Sequence, residues 1–223
     1  MGHTFTPPVR AWLLLLGFTL AWDASGLDLA VMRGLGTAGG FAGRHAHLLE
    51  AVLHDGLRQA LSVLLVLATA WAVVSVRRHP GRLRALGLVW LSLLVVNLSK
   101  RYSLTSCPWD WQAFGGAAQV VSHWAWGLTD GGPGRCFPGG HASSGFAFLA
   151  LAWPASRPAM VPARRWTVAV LGLSLAVGLL AGVVQTLRGA HPPSHTLWTL
   201  LIGGGQALEG PRWRLPAPAD AQR

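Results

Sequence analysis

The chain has 223 residues, 52% of them hydrophobic and 12% charged, with a formal net charge of +10. Soluble domains carry about 25% charged residues, so this chain lacks the polar side chains needed to cover a water-exposed surface. Its basic residues gather at the ends of apolar runs, which excludes a nucleic-acid footprint and favours a lipid-facing protein.

Six apolar runs follow in chain order: Ala11 to Trp22, Leu57 to Val76, Leu83 to Leu98, His141 to Trp153, Trp166 to Leu187 and Thr196 to Leu208. A spanning helix needs about 20 residues, and only the second and fifth runs reach that unaided. The expectation is an all-α, polytopic bundle of six transmembrane helices. It forms one domain over residues 1–210, with a disordered cytoplasmic tail at 211–223. Arg10 before a leucine-rich core resembles a signal peptide, but the bulky Trp22 argues for a retained helix.

Charge placement orients the bundle. Arg77, Arg78, Arg82 and Arg84 lie between runs two and three, Arg157, Arg164 and Arg165 between four and five, and Arg212, Arg214 and Arg223 after six. All fall on one side if every run spans, which puts both termini in the cytoplasm. The far side then holds Ser25 to Gly56, Thr105 to Gly140 and the turn Gly189 to Ser194. The first of these loops reads as amphipathic and interfacial, and its His45, His47 and His54 as solvated side chains. In the second, "VVSHWAWGL" reads as an interfacial segment, with His123 left outside any site. Cys107 and Cys136 fall on this side, and a bridge between them is expected if it is an oxidising compartment.

Three polar stretches interrupt the apolar pattern on that face: "NLSKRYSL" with Lys100 and Arg101, "RCFPGGH" with Arg135 and His141, and "QTLRGAHPPSH" with Arg188, His191 and His195. Ionisable groups at membrane depth are costly and usually serve a site. Lys and Arg suit phosphate oxygens. The Gly139–Gly140 turn into a helix start offers backbone N–H groups to an anion. Histidine can act as nucleophile and as general acid or base. No Asp/Glu/His set with metal-ligand spacing is visible, so neither metal nor cofactor is expected. Asp110 in "CPWDW" reads either as an orienting carboxylate or as a loop cap.

These stretches resemble the three motifs of the type 2 phosphatidic acid phosphatase (PAP2) family, the membrane branch of the superfamily shared with vanadium haloperoxidases. Lys100 and Pro108 fall in register with the first motif, with Cys107 where the family has Arg. Pro138, Gly140 and His141 match the second, with Gly139 in place of Ser. "GAHPPSH" is similar to the third, with His191 as nucleophile, His195 in the Asp position and Gln185 in the Arg position. A rival register makes His195 the nucleophile, seven positions after Arg188.

The resemblance implies a metal-independent lipid phosphatase of the bacterial inner membrane with a periplasmic site. His191 would form a phosphohistidine, His141 would protonate the leaving group, and His195 would orient His191. Lys100, Arg101, Arg135, Arg188, Gly139 and Gly140 would hold the phosphate. A lipid-to-lipid phosphotransferase and a non-catalytic lipid-phosphate-binding member are the alternatives that the departures keep open. A transporter is weaker, for want of an internal repeat. The lipid and the oligomeric state are not encoded legibly.

Overall fold

The computed structural model describes residues 7–152 and 160–209. The tail 211–223 lies outside the described residues, as does the end of the fourth apolar run. The chain is mainly helical. Helix α1 (Pro7–Ala24) leads into α2 (Leu27–Leu35), and a two-residue hairpin, β1 (Gly36–Thr37) with β2 (Gly40–Phe41), follows. A π-helical stretch (Leu48–Gly56) runs into α3 (Leu57–Val74), and α4 spans Pro80–Tyr102. After a long loop come α5 (Gly140–Phe146) with its 3-10 extension (Ala147–Ala152), α6 (Ala163–Leu187) and α7 (Pro193–Glu209).

Among the described residues, three helices are long and apolar enough to cross a membrane: Leu48–Val74, Pro80–Tyr102 and Ala163–Leu187, of 27, 23 and 25 residues. A fourth is added if the pair Val9–Ala24 and Leu27–Leu35, bent by 67°, counts as one span. Gly26, at φ 74°, makes that bend, because the left-handed conformation ends α1 without a Cβ penalty. Leu14, Val74 and Leu173 are 75%, 83% and 69% exposed on the outside of the helices, as lipid contact requires and water does not favour.

The expectation of an interfacial loop from Ser25 to Gly56 gives way to secondary structure. Its second half, "LLEAVLHDG", is helical and continuous with α3. Periodicity begins there, nine residues before the uninterrupted apolar run, because Glu50, His54 and Asp55 occupy the inward side that the run-based reading scored as polar. Pro80 sits in the first turn of α4, where its missing N–H costs nothing. In the same turn, Arg82 stacks over Trp71 of α3 at 4.0 Å, joining the basic turn to the helix pair.

The core that positions the functional region is built from small residues. α5 lies against α6 where Gly145 meets Gly178, and a Cβ at Gly178 would overlap the Phe146 ring. Glycine at this contact lets two backbones approach, the usual basis of helix association in lipid. Phe146 is fully buried and packs with Ala142 and Leu149, against Leu175 of α6 and Leu200 of α7. Helix α1 closes the bundle over α7, with Trp12 Nε1 donating to the Leu201 carbonyl at 3.0 Å. Gly178→Leu is expected to destabilise the protein by about 1–3 kcal/mol through overpacking. A denaturant titration in detergent micelles, with Gly172→Leu at an open site as control, would show it.

Candidate active site

The loop between α4 and α5 brings the three polar stretches together. Arg135 N–H donates to the Ser103 carbonyl at 2.8 Å and Cys136 N–H to the Thr105 carbonyl at 3.0 Å, laying the second stretch along the first. Trp109 N–H donates to the Gly189 carbonyl at 2.9 Å, tying the first to the third. Gly189 has φ 75°, and a Cβ there would overlap the Phe41 ring, so this turn requires glycine. Cys107 and Cys136 form a disulfide, with Cα atoms 5.1 Å apart.

Asp130, which sequence reading passed over, pins the loop from inside. Buried at 4% exposure, it accepts from Ser106 N–H, from Ser106 Oγ at 2.8 Å and from Gly132 N–H at 3.0 Å. Asp110 serves the same loop: its N–H donates to the Cys107 carbonyl and its carbonyl accepts from Ala118. Desolvation raises its carboxyl above the usual range, against a hydrogen bond from Trp109.

Within this frame, Lys100 from the last turn of α4 places Nζ 3.5 Å from Nε2 of His191. His191 precedes α7 and is 2% exposed. Its Nδ1 faces Nδ1 of His195, one helical turn on, at 3.3 Å. Cys136 Sγ lies at the same distance from that Nδ1, and a disulfide sulfur has no proton to donate. His191 therefore presents Nε2 towards Lys100 and is braced at Nδ1, the arrangement a nucleophilic imidazole needs.

His141, the second residue of α5, has both ring nitrogens buried and without a hydrogen-bond partner. Buried polar atoms are rarely left unpaired in native structures, so an orphaned ring marks a place for a ligand. Lys100 and His141 both lie close enough to His191 to oppose a positive charge on it. Gly140 adjoins the same space, since a Cβ there would stand 3.5 Å from Lys100 Nζ.

Other expected residues are placed differently. The Gly139 N–H donates to the His195 carbonyl at 3.2 Å, so that amide is already committed. Arg188 is 5% exposed, but its guanidinium pairs with Glu50 at 2.8 Å and its Nε donates to the Arg44 carbonyl. Arg101 and Arg135 are exposed and flank a groove of about 390 Å³ with Lys100, Leu94, Asn97 and Leu98, on the outer side of α4. Lys100 alone belongs to both places.

Two histidines set aside on sequence grounds belong to this region. His54 is not a solvated loop residue: its ring lies 3.8 Å from that of His141, and its Nδ1 is 3.0 Å from Asp55. His123 is not separate either. It stacks on Phe137 and turns its edge to His195. No local signal distinguishes them from surface histidines, because their partners come from distant segments. His45 is the solvated side chain expected, 77% exposed beside Glu50.

Cys107, Cys136 and His191 offer ligand atoms within 4.8 Å of one another. Bridged cysteines present no thiolate, so this trio does not fit a metal ion.

The sequence model of the PAP2 superfamily matches residues 81–216. The chain belongs to the PAP2 superfamily. Searches of curated proteins and of solved structures return no significant match. Membership in PAP2 suggests phosphatase activity and accords with the apolar helices. Gln185, expected at the Arg position of the third motif, is 2% exposed with its amide nitrogen unpartnered. His195, expected at the Asp position, stands against His191.

Burial holds the His191 pKa well below 6.5, with the Lys100 charge adding to the effect. The unfolded chain therefore takes up the proton first as pH falls through 6.5, and stability is lost on acidification below that value. His191→Gln is expected to flatten this dependence. Melting temperatures in detergent from pH 7.5 to 5 would reveal it, and an equal slope in both proteins would contradict buried neutral His191.

Proposed function

We propose that the protein is a metal-independent lipid phosphatase that works through a phosphohistidine. The observation that carries this reading is the Lys100–His191 contact beside the unpartnered ring of His141. Two nitrogen-bearing groups and an imidazole with open valences converge where carboxylates are engaged elsewhere: Glu50 with Arg188, Asp55 with His54 and Arg58. Such a nest suits the oxygens of a phosphoryl group rather than a metal.

In the reaction, the phosphate lies between Lys100 and His141. Lys100 takes up charge on the equatorial oxygens, aided by the long-range field of Arg188. His191 Nε2 forms the N–P bond as the P–O bond to the lipid breaks. His141 takes up a proton when the anionic phosphate arrives beside it and gives that proton to the departing oxygen, while His54, against it, keeps the ring in place. Water then forms the new P–O bond as N–P breaks, with His141 taking the proton back. Arg101 and Arg135 meet the lipid head group at the rim of the site, not in its centre.

The register with His191 as nucleophile is favoured over that with His195, because His191 is the one that faces Lys100. Six spans are proposed: α1 with α2, the Leu48–Val74 helix, α4, the helix beginning at α5, α6 and α7. Both termini are then cytoplasmic in a bacterial inner membrane, and the site with its disulfide faces the periplasm. A lipid phosphotransferase shares every step up to the phosphohistidine and differs only in the acceptor.

The test is phosphate release by protein in nanodiscs from phosphatidic acid, phosphatidylglycerol phosphate and undecaprenyl diphosphate. His191→Ala is expected to lower kcat by about 10³-fold or more, and His141→Ala by about 10²–10⁴-fold. Wild-type turnover retained in His191→Ala would refute the reading. Turnover that appears only on adding an acceptor lipid would assign the transferase.

A further inference from the structure

The PAP2 third motif puts a carboxylate behind the nucleophilic histidine, and this chain puts His195 there. A neutral imidazole can accept the His191 Nδ1–H, but it cannot offset the positive charge that ring acquires when Nε2 bonds to phosphorus. That charge needs a counter-ion from elsewhere, and a carboxylate stands near: Asp23, at the end of α1, connects to His195 through the ring of His123.

Asp23 is an unusual residue for that place. Its side chain is 8% exposed, and a single oxygen, Oδ2, accepts from Trp124 Nε1 at 2.7 Å and from Trp198 Nε1 at 3.2 Å, with His123 Nε2 3.0 Å away. Trp198 lies on α7 one turn beyond His195, so the carboxylate grips the helix that carries the nucleophile's partner. His123 lies flat on Phe137, with centroids 4.0 Å apart and planes 8° apart. Both rings stand edge-on to His195, His123 at 5.9 Å and Phe137 at 5.2 Å. Phe137 follows Cys136 of the disulfide. The His123 ring thus touches Asp23 on one side and His195 on the other, a separation at which a carboxylate's field still acts on the His195 ring.

We propose that Asp23, seated by His123, Trp124 and Trp198, is the counter-charge of the His191–His195 pair and does from α1 what the motif carboxylate does in its relatives. This rests on the phosphoryl-transfer reading above. When the N–P bond forms, the cationic charge of the His191 ring is shared through its Nδ1–H with Nδ1 of His195. Asp23 stabilises that shared charge, and the proton returns to His191 when water breaks the N–P bond. Asp23 and His123 are positioning residues, since neither reaches phosphorus.

The experiment compares wild type, Asp23→Asn, His195→Asp and the double variant. It measures phosphate release from phosphatidic acid and, independently of turnover, binding of orthovanadate by shift of melting temperature. Asn keeps an acceptor for the indoles and removes the charge. In the native background, Asp23→Asn is expected to lower kcat about tenfold or more with KM within about threefold, and to weaken orthovanadate binding by a similar factor. In the His195→Asp background, which brings a carboxylate of its own, the same change is expected to cost less than about threefold.

An equal loss in both backgrounds, unfolding in both, or no loss in the native one would each overturn the counter-charge role while leaving the phosphatase reading in place. A wild type that neither turns over nor binds orthovanadate would remove the phosphatase reading itself, and this inference with it.

Discussion

An ammonium group held 3.5 Å from a buried imidazole is the constraint around which this molecule is arranged. Lys100 and His191 cannot both be charged at that separation without an anion between them, and His191 is desolvated to the point where it stays neutral. The nearby acids are drawn off to other partners: Glu50 to Arg188, Asp55 to His54 and Asp28 to the start of α7. What is left is a cluster of Lys100, His141 and His191 with no carboxylate paired to Lys100 among the described residues. The exposed apolar flanks of the helices set that cluster in a protein that meets lipid.

Keeping that pair together requires three remote segments to hold still, and the chain uses covalent, polar and steric means at once. The Cys107–Cys136 bridge joins the first stretch to the second. Trp109 bonds to Gly189, and Asp130 fastens the loop from within. Asp28 reaches across from α2 to accept Ser194 N–H at 3.0 Å, and also the Ser194 hydroxyl, supplying an N-terminal cap that α7 does not carry in its own sequence. Every one of these ties runs between segments far apart in the chain, which suits a site that must be rigid in a lipid environment.

The residues expected at the departures from the PAP2 motifs have neighbours in space that the motifs do not name. Cys107 forms a crosslink whose partner sulfur lies beside His191. Gln185 holds a buried amide nitrogen without a partner. His195 lies against His191 and edge-on to His123, which reaches Asp23 of α1.

Much of this was legible in the residues alone. Apolar runs and arginine clusters determined a helical membrane protein, because the bilayer imposes length and charge rules on any segment that enters it. Lys100, His141 and His191 were marked by being polar where the pattern forbids it. What only the tertiary structure decided is partnership. Arg188 proved to be bound to Glu50, the Gly139 amide to His195, His54 to His141 and His123 to Asp23. A side chain's identity and spacing define what it can do, but the field and contacts that select among those capacities come from residues as far as 175 positions away, and no local pattern carries that distance.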